Sequence, residues 1–292
     1  LKAVENNPVV RQEQGFDVYQ LGNEDVEIAV VPELGAKIIS LKNVKTGREW
    51  LWHPPGPLKL FANRLGDDFA TSPLAGMDEC LPTIAPCAWR GHELPDHGEA
   101  WSAAWTVDSQ AWDCGALKTS CKLALLPFEF ERTILLLDDG IRMVYRLTNQ
   151  GPATEQFLWA LHPLLQLEAG DQLELPASTR ALLNGNEWVD SIDTAVPDGN
   201  CAKVFSAPLD KGISAIHNKH TGERLEFEWN VVENHALGLW LTRGGWHGRD
   251  HFAMEPTNGA SDFLTVAARQ ERCRALAPFA SATWQIQIRI GS

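Results

Sequence analysis

Along most of this chain, apolar and polar residues alternate one for one. The clearest run is near the C-terminus, where Trp284, Ile286, Ile288 and Ile290 interleave with Thr283, Gln285, Gln287 and Arg289. Successive strand residues point to opposite faces, so this period predicts a strand with one buried face. Residues 129–137 and 141–148 read the same way on either side of Asp138-Asp139-Gly140, a turn signal, and predict a hairpin. Further strands are expected over 26–31, 36–44, 119–126, 212–217, 224–229 and 237–242, with Gly, Pro, Asn and Asp recurring between them. No amphipathic helical pattern runs beyond about two or three turns. Many strands with turn punctuation predict an all-β sandwich or barrel. No linker or short-period repeat divides the chain, so residues 1–292 are expected to form a single domain with a substantial core.

One region breaks the pattern. Residues 54–101 are rich in Gly, Pro, Asp and His and poor in alternation. They read as a long functional excursion or as poorly ordered chain, and their Trp, Cys and Leu content argues for order. The region ends in Leu94-Pro95-Asp96-His97-Gly98-Glu99-Ala100-Trp101, which has neither a strand nor a helix period. It reads as a loop, where chemistry is commonly held by a rigid scaffold. A loop His beside carboxylates titrates near neutrality, and its ordinary alternative is a hydrogen-bonded structural role.

Composition narrows the partners. A net charge of −13 argues against nucleic acid and anionic membranes, which need a cationic face. No apolar run approaches a membrane span. The six cysteines form no CxxC pair in a chain too large to need staples, so buried free thiols are expected. The absence of an Asn-X-Ser/Thr sequon favours a cytoplasmic protein, although the start at Leu1 is compatible with a removed signal peptide. The chain has 12 Trp against 2 Tyr. Trp offers a broad apolar face and an N–H donor, suited to stacking on sugar rings. Trp240 is one candidate platform, and core packing is the alternative for each.

Two further clusters carry candidate chemistry. In Phe157-Leu158-Trp159-Ala160-Leu161-His162-Pro163-Leu164, a His ends an apolar run and Pro ends the ladder, which presents His162 at a sheet rim. In Phe252-Ala253-Met254-Glu255-Pro256, a lone acid follows three apolar residues. Partial desolvation there would raise its pKa and make Glu255 a better base. A capped core His and a solvent-facing Glu are the plain alternatives. His217/His220 and His247/His251 have spacings seen in metal sites, but they lie in turn sequence rather than on a helix, and no metal is expected. No Gly-X-Ser-X-Gly elbow is present.

These clusters, in this order in a β-rich chain, resemble the galactose mutarotase-like superfamily, and within it the aldose 1-epimerase family. The stretch Gly76-Met77-Asp78-Glu79-Cys80-Leu81-Pro82-Thr83-Ile84 and the tail with Trp284 and Ile286 add to the resemblance, which spans roughly residues 20 to 290. It implies a large antiparallel β-supersandwich with an open sugar cleft. It also implies a cofactor-free mutarotase, with Glu255 as base on the anomeric hydroxyl and protonated His162 as donor to the ring oxygen. His97 would polarise that oxygen. Arg64 of the Asn63-Arg64 pair, Asp78, Glu79, Glu99, Trp101 and Trp240 are the expected sugar contacts. Asp193 and Asp210 are candidates for a further sugar-binding Asp. The related hexose-6-phosphate epimerases resemble the chain around 75–85, but they carry Arg where this chain has Leu74 and Glu99-Ala100-Trp101, and phosphate favours clustered cations. The resemblance therefore implies a neutral hexose. A non-catalytic carbohydrate-binding protein and a hexose-6-phosphate 1-epimerase are the alternatives. Which sugar, which pathway and which oligomeric state are left open by the sequence.

Overall fold

The alternating runs become the strands of two large antiparallel sheets. A computed structural model describes residues 8–176, 181–183, 186–188 and 199–291. Within them, Ser281–Gly291 is a strand whose even positions from Ala282 to Ile290 are buried while the odd positions stay largely in solvent. Phe128–Leu137 and Gly140–Asn149 form the expected hairpin, pairing in register from Leu137 and Gly140 outward. Both belong to an eight-stranded sheet. Its apolar face carries Phe130, Ile134, Met143, Tyr145, Trp284 and Ile286, and it packs on a second sheet of eleven strands. The architecture is the large antiparallel β-supersandwich that the resemblance implies.

The larger sheet carries five consecutive neighbours that matter for function. In spatial order they are Lys37–Asn43, Met77–Cys80, Ala160–Pro163, Arg249–Thr257 and Ala236–Trp246, and Cys201–Ser206 follows. These strands are far apart in sequence, so the sheet gathers residues that local patterning cannot relate. Among the described residues, helix is confined to short pieces such as Ser109–Asp113 and Leu264–Arg269. No helix among the described residues is long and apolar enough to cross a membrane.

Two expectations shift. The strand read over 119–126 is Ala116–Lys122. The N–H groups of Ala124, Leu125 and Leu126 leave the ladder because the Glu99 carboxylate accepts all three, at 2.6–3.3 Å. The excursion over 54–101 is ordered chain: Met77–Cys80 within it is an inner strand of the larger sheet, and chain on either side folds over that sheet. Its close is set by main-chain contact: Glu99 N–H donates to Leu81 O at 2.6 Å and His97 N–H to Ile84 O at 2.6 Å. Gly98 turns there with φ +74, and a Cβ on it would fall 2.2 Å from Leu81 O. Only glycine fits both that left-handed turn and that close approach.

Candidate active site

Register decides which side chains share a face. His162 pairs with Asp78, Gly238 with Glu255, Trp240 with Ala253, Thr242 with His251 and Lys203 with Trp240. Paired residues point to the same side, and so do residues two apart. His162, Asp78, Glu255, His251, Trp240 and Lys203 therefore all stand on the face of the larger sheet turned away from the smaller one. Gly238 makes room for Glu255, since a Cβ there would come within 3.0 Å of Oε2.

The ordered excursion closes over this face. His97 sits in left-handed backbone, φ 58, at the loop tip. Its ring stacks on Phe69, with centroids 3.8 Å apart at 14°, and meets His162 edge-on at 4.9 Å and 78°. Its Nδ1 lies 3.0 Å from Asp96 Oδ1. Phe69, Asp96, His97, His162, Lys203 and Asp262 surround a cavity of about 190 Å³, which Trp240, Trp246 and His251 complete on the far side. The space suits a single small molecule.

At its floor, Glu255 Oε1 is 3.7 Å from His162 Nε2, while Oε2 accepts from the Lys203 ammonium. Oε1 itself has no hydrogen-bond partner among the described residues. Glu255 is fully enclosed, whereas Lys203 lines the cavity. Burial raises the Glu255 carboxyl above its ordinary range, and Lys203 opposes that. Burial lowers the Lys203 ammonium, but Glu255 and Asp262 outweigh it and the net shift is upward. Burial, aided by the neighbouring His97 and Lys203, pushes His162 well below its ordinary value. The neutral ring of His162 is therefore favoured at neutral pH. His251 is pushed down to about 3, chiefly by burial, and neither of its nitrogens finds a partner.

The structure brings together His97, His162, Glu255 and Trp240 of the expected site. Asp78 lies just beneath on the same face, wholly buried and paired with Lys37. The other expected sugar contacts lie elsewhere. Glu79, next to Asp78, points the opposite way into the space between the sheets, where it binds Arg132, Tyr145 and Trp159. Glu99 is spent on the three N–H groups of residues 124–126. Trp101 is fully buried, and its indole N–H donates to Asp96 O at 2.9 Å, so it braces the loop. Arg64 is exposed and away from the cavity lining. Asp210 is also outside that lining, and Asp193 is outside the described residues.

Lys203, Asp262, Asp96, His251, Phe69 and Trp246 are the charged and aromatic cavity residues that sequence reasoning missed. Lys203 left one faint signal, a lone cation leading into the apolar pair Val204-Phe205 of a short strand. His251 drew notice only for its spacing from His247. The described residues contain no group of His, Cys, Asp and Glu arranged to hold a metal ion.

Comparison with known proteins places this geometry. The family model for aldose 1-epimerase matches residues 17–241. Among solved structures, a galactose mutarotase-like protein from Clostridium acetobutylicum superposes with a TM-score of 0.77 at 13% identity, covering 98% of this chain and 99% of that one. A proposed aldose 1-epimerase from Escherichia coli K12 gives 0.71 at 19% identity, covering 94% and 98%. A galactose mutarotase related enzyme from Lactobacillus acidophilus gives 0.69 at 14%, covering 94% and 97%. No curated protein matches. At such identities the structures speak for the fold, and the family model speaks for descent: this chain belongs to the aldose 1-epimerase family.

Proposed function

We propose that the protein is a mutarotase that interconverts the α and β anomers of a neutral hexose, acting as one domain over residues 1–292. The observation that carries this reading is the facing pair Glu255 Oε1 and His162 Nε2, 3.7 Å apart at the cavity floor with His97 beside them. Ring opening needs a proton removed from the anomeric hydroxyl and one delivered to the ring oxygen. Glu255, ionised, takes the first. His162, protonated, gives the second, and His97 orients and polarises the ring oxygen. The C1–O5 bond breaks to a free aldehyde, C1 rotates about C1–C2, and reclosure with the proton transfers reversed yields the other anomer.

Both groups act as a pair holding one proton between them. The competent form, Glu255 anionic and His162 cationic, has the same net charge as its inactive tautomer, so the two titrate together. Each proton transfer contributes roughly 10²–10⁴-fold in rate. Trp240 and Trp246 supply apolar walls for the sugar's C–H face. The reaction calls for no metal or cofactor.

The charges at the cavity favour an unphosphorylated substrate. Its lining acids are Asp96, beside His97, and Asp262, beside a lysine already paired with Glu255. Arg90 is turned to Glu155 at the surface, and Leu74 is buried beside Trp101. Among the described residues of the lining, a phosphate would meet no open cation cluster. A cytoplasmic place in carbohydrate metabolism goes with this reading.

The test is polarimetry or NMR of freshly dissolved α-glucose and α-galactose with and without protein. Faster approach to anomeric equilibrium is expected. No acceleration across a panel of aldoses sinks the enzyme reading and leaves the second one, a sugar-binding protein without turnover. That second reading draws on the complete enclosure of Glu255 in the empty site, and calorimetry showing sugar binding without catalysis would establish it.

A further inference from the structure

Lys203 contributes more than charge to the cavity wall. Its ammonium holds Glu255 Oε2, lies 3.7 Å from Asp262 Oδ1 and sits 5.2 Å from the centre of the Phe205 ring. Strand register puts Lys203, Phe205, Gly238 and Glu255 on one face, so the lysine stem runs straight to the carboxylate. The other oxygen, Oε1, is buried, has no partner and faces His162. A carboxylate with one oxygen tied and one oxygen free has a defined basic lone pair and a defined direction of attack.

We propose that Lys203 is a positioning residue for the mutarotation assigned above: it ties down Oε2 of Glu255 and so makes Oε1, the oxygen beside His162, the proton acceptor. The inference rests on that functional reading for its consequence, but the contact itself stands apart from turnover. A fully enclosed carboxylate without a counter-ion protonates rather than stays charged, and a carboxylic acid is no base. The titratable groups around Glu255 come from every neighbouring element. They are His162 from Ala160–Pro163, Asp78 and Cys80 from Met77–Cys80, His97 from the loop, and Asp262 beyond the strand Arg249–Thr257. Lys203 is the cation among them in direct contact with the carboxylate. Lys203 lines the cavity whereas Glu255 is fully enclosed, and Asp262 lies 3.7 Å from the same ammonium.

The experiment follows the Glu255 carboxyl directly. Protein labelled with ¹³C at the glutamate carboxyl carbon is titrated by NMR, with Glu255→Gln identifying the signal, and kcat/KM is measured over the same pH range. In Lys203→Met the Glu255 midpoint is expected to rise by about one pH unit or more, with the acid limb of kcat/KM moving up in step. At pH values below that limb the activity is then roughly tenfold lower than in wild type. Lys203→Arg is expected to keep both close to wild type. Circular dichroism checks the fold, and Lys203→Gln replaces the methionine variant if that one does not fold. Coincident Glu255 midpoints in wild type and Lys203→Met overturn the proposal. If the wild-type protein turns over no sugar, the functional reading fails while the carboxyl titration still decides whether Lys203 governs Glu255.

Discussion

Glu79 and Glu255 are both fully enclosed carboxylates with a cation beside them, on opposite faces of one sheet. Glu79 looks inward. Its Oε1 accepts from Arg132 and Tyr145 and its Oε2 from Trp159, each at 2.8–2.9 Å, so both oxygens are engaged. Glu255 looks outward. One oxygen is held by Lys203, and the other is left facing a histidine across the cavity floor. Burial and an ion pair are common to both, so neither marks a catalytic acid. The difference is the unsatisfied oxygen. A buried polar group without a partner costs stability, and such a cost is tolerated where the group has work to do on a substrate.

The comparison breaks first at Glu79. Glu79→Gln strands the Arg132 guanidinium, which is fully buried, and removing one partner of a buried pair costs about 3–5 kcal/mol. Urea unfolding of that variant is expected to show a loss of this size, or no folded protein. A shift under about 1 kcal/mol would mean the inward network is not structural.

Glu255→Gln should do the reverse. Mutarotation is expected to fall by about 10²–10⁴-fold while the unfolding midpoint moves little. Full rate in this variant, or in His162→Asn, removes that residue from the mechanism.

The pH profile sharpens the same contrast. kcat/KM reports the free enzyme, in which His162 lies well below its ordinary value. Because His162 shares one proton with Glu255, activity should fall with rising pH as the pair gives up that proton. A flat profile from about pH 5.5 to 8.5 would show that His162 gives up no proton.

The smallest effect concerns His251, neutral and unpartnered beside Trp52 and Trp246. Its pKa of about 3 in the folded state lies below the unfolded value of 6.5. Its contribution to stability is complete above pH 6.5 and is lost as pH falls toward 3, amounting to about 2 kcal/mol by pH 5. His251→Gln should flatten that part of the stability curve. An unchanged slope would show that the ring is solvated in the folded protein.

The strands were legible wherever one face is buried and the other wet, as in Ser281–Gly291 and the hairpin at 138–140. They were less so where both faces are covered, as in Met77–Cys80, all four residues of which are buried. There alternation vanishes, and nothing local tells Asp78 from Glu79. Register against Ala160–Pro163 does, and it sends one acid to the cavity side and its neighbour to the core. Glu99 misled for a related reason. Its partners lie 25 to 27 residues away, so a capping acid reads in sequence like a ligand-binding one. His97, His162 and Glu255 were legible as a set because the family resemblance supplied the long-range proximity that local pattern lacks. Lys203 had no such guide.

The cavity joins two kinds of chain. Its floor is sheet, with side chains aimed by ladder register. Its rim is the part of the 54–101 excursion outside Met77–Cys80, whose close is anchored through main-chain hydrogen bonds around Leu81 and Ile84 and by the glycine at 98. Main-chain anchors do not depend on neighbouring side chains. A part-exposed rim residue such as Asp96 can therefore be exchanged, in a laboratory library or by natural drift, while the strand-held Glu255, Lys203 and His162 keep their places. Such a division makes the protein a scaffold on which substrate choice can be re-tuned at the rim while the proton chemistry below stays put.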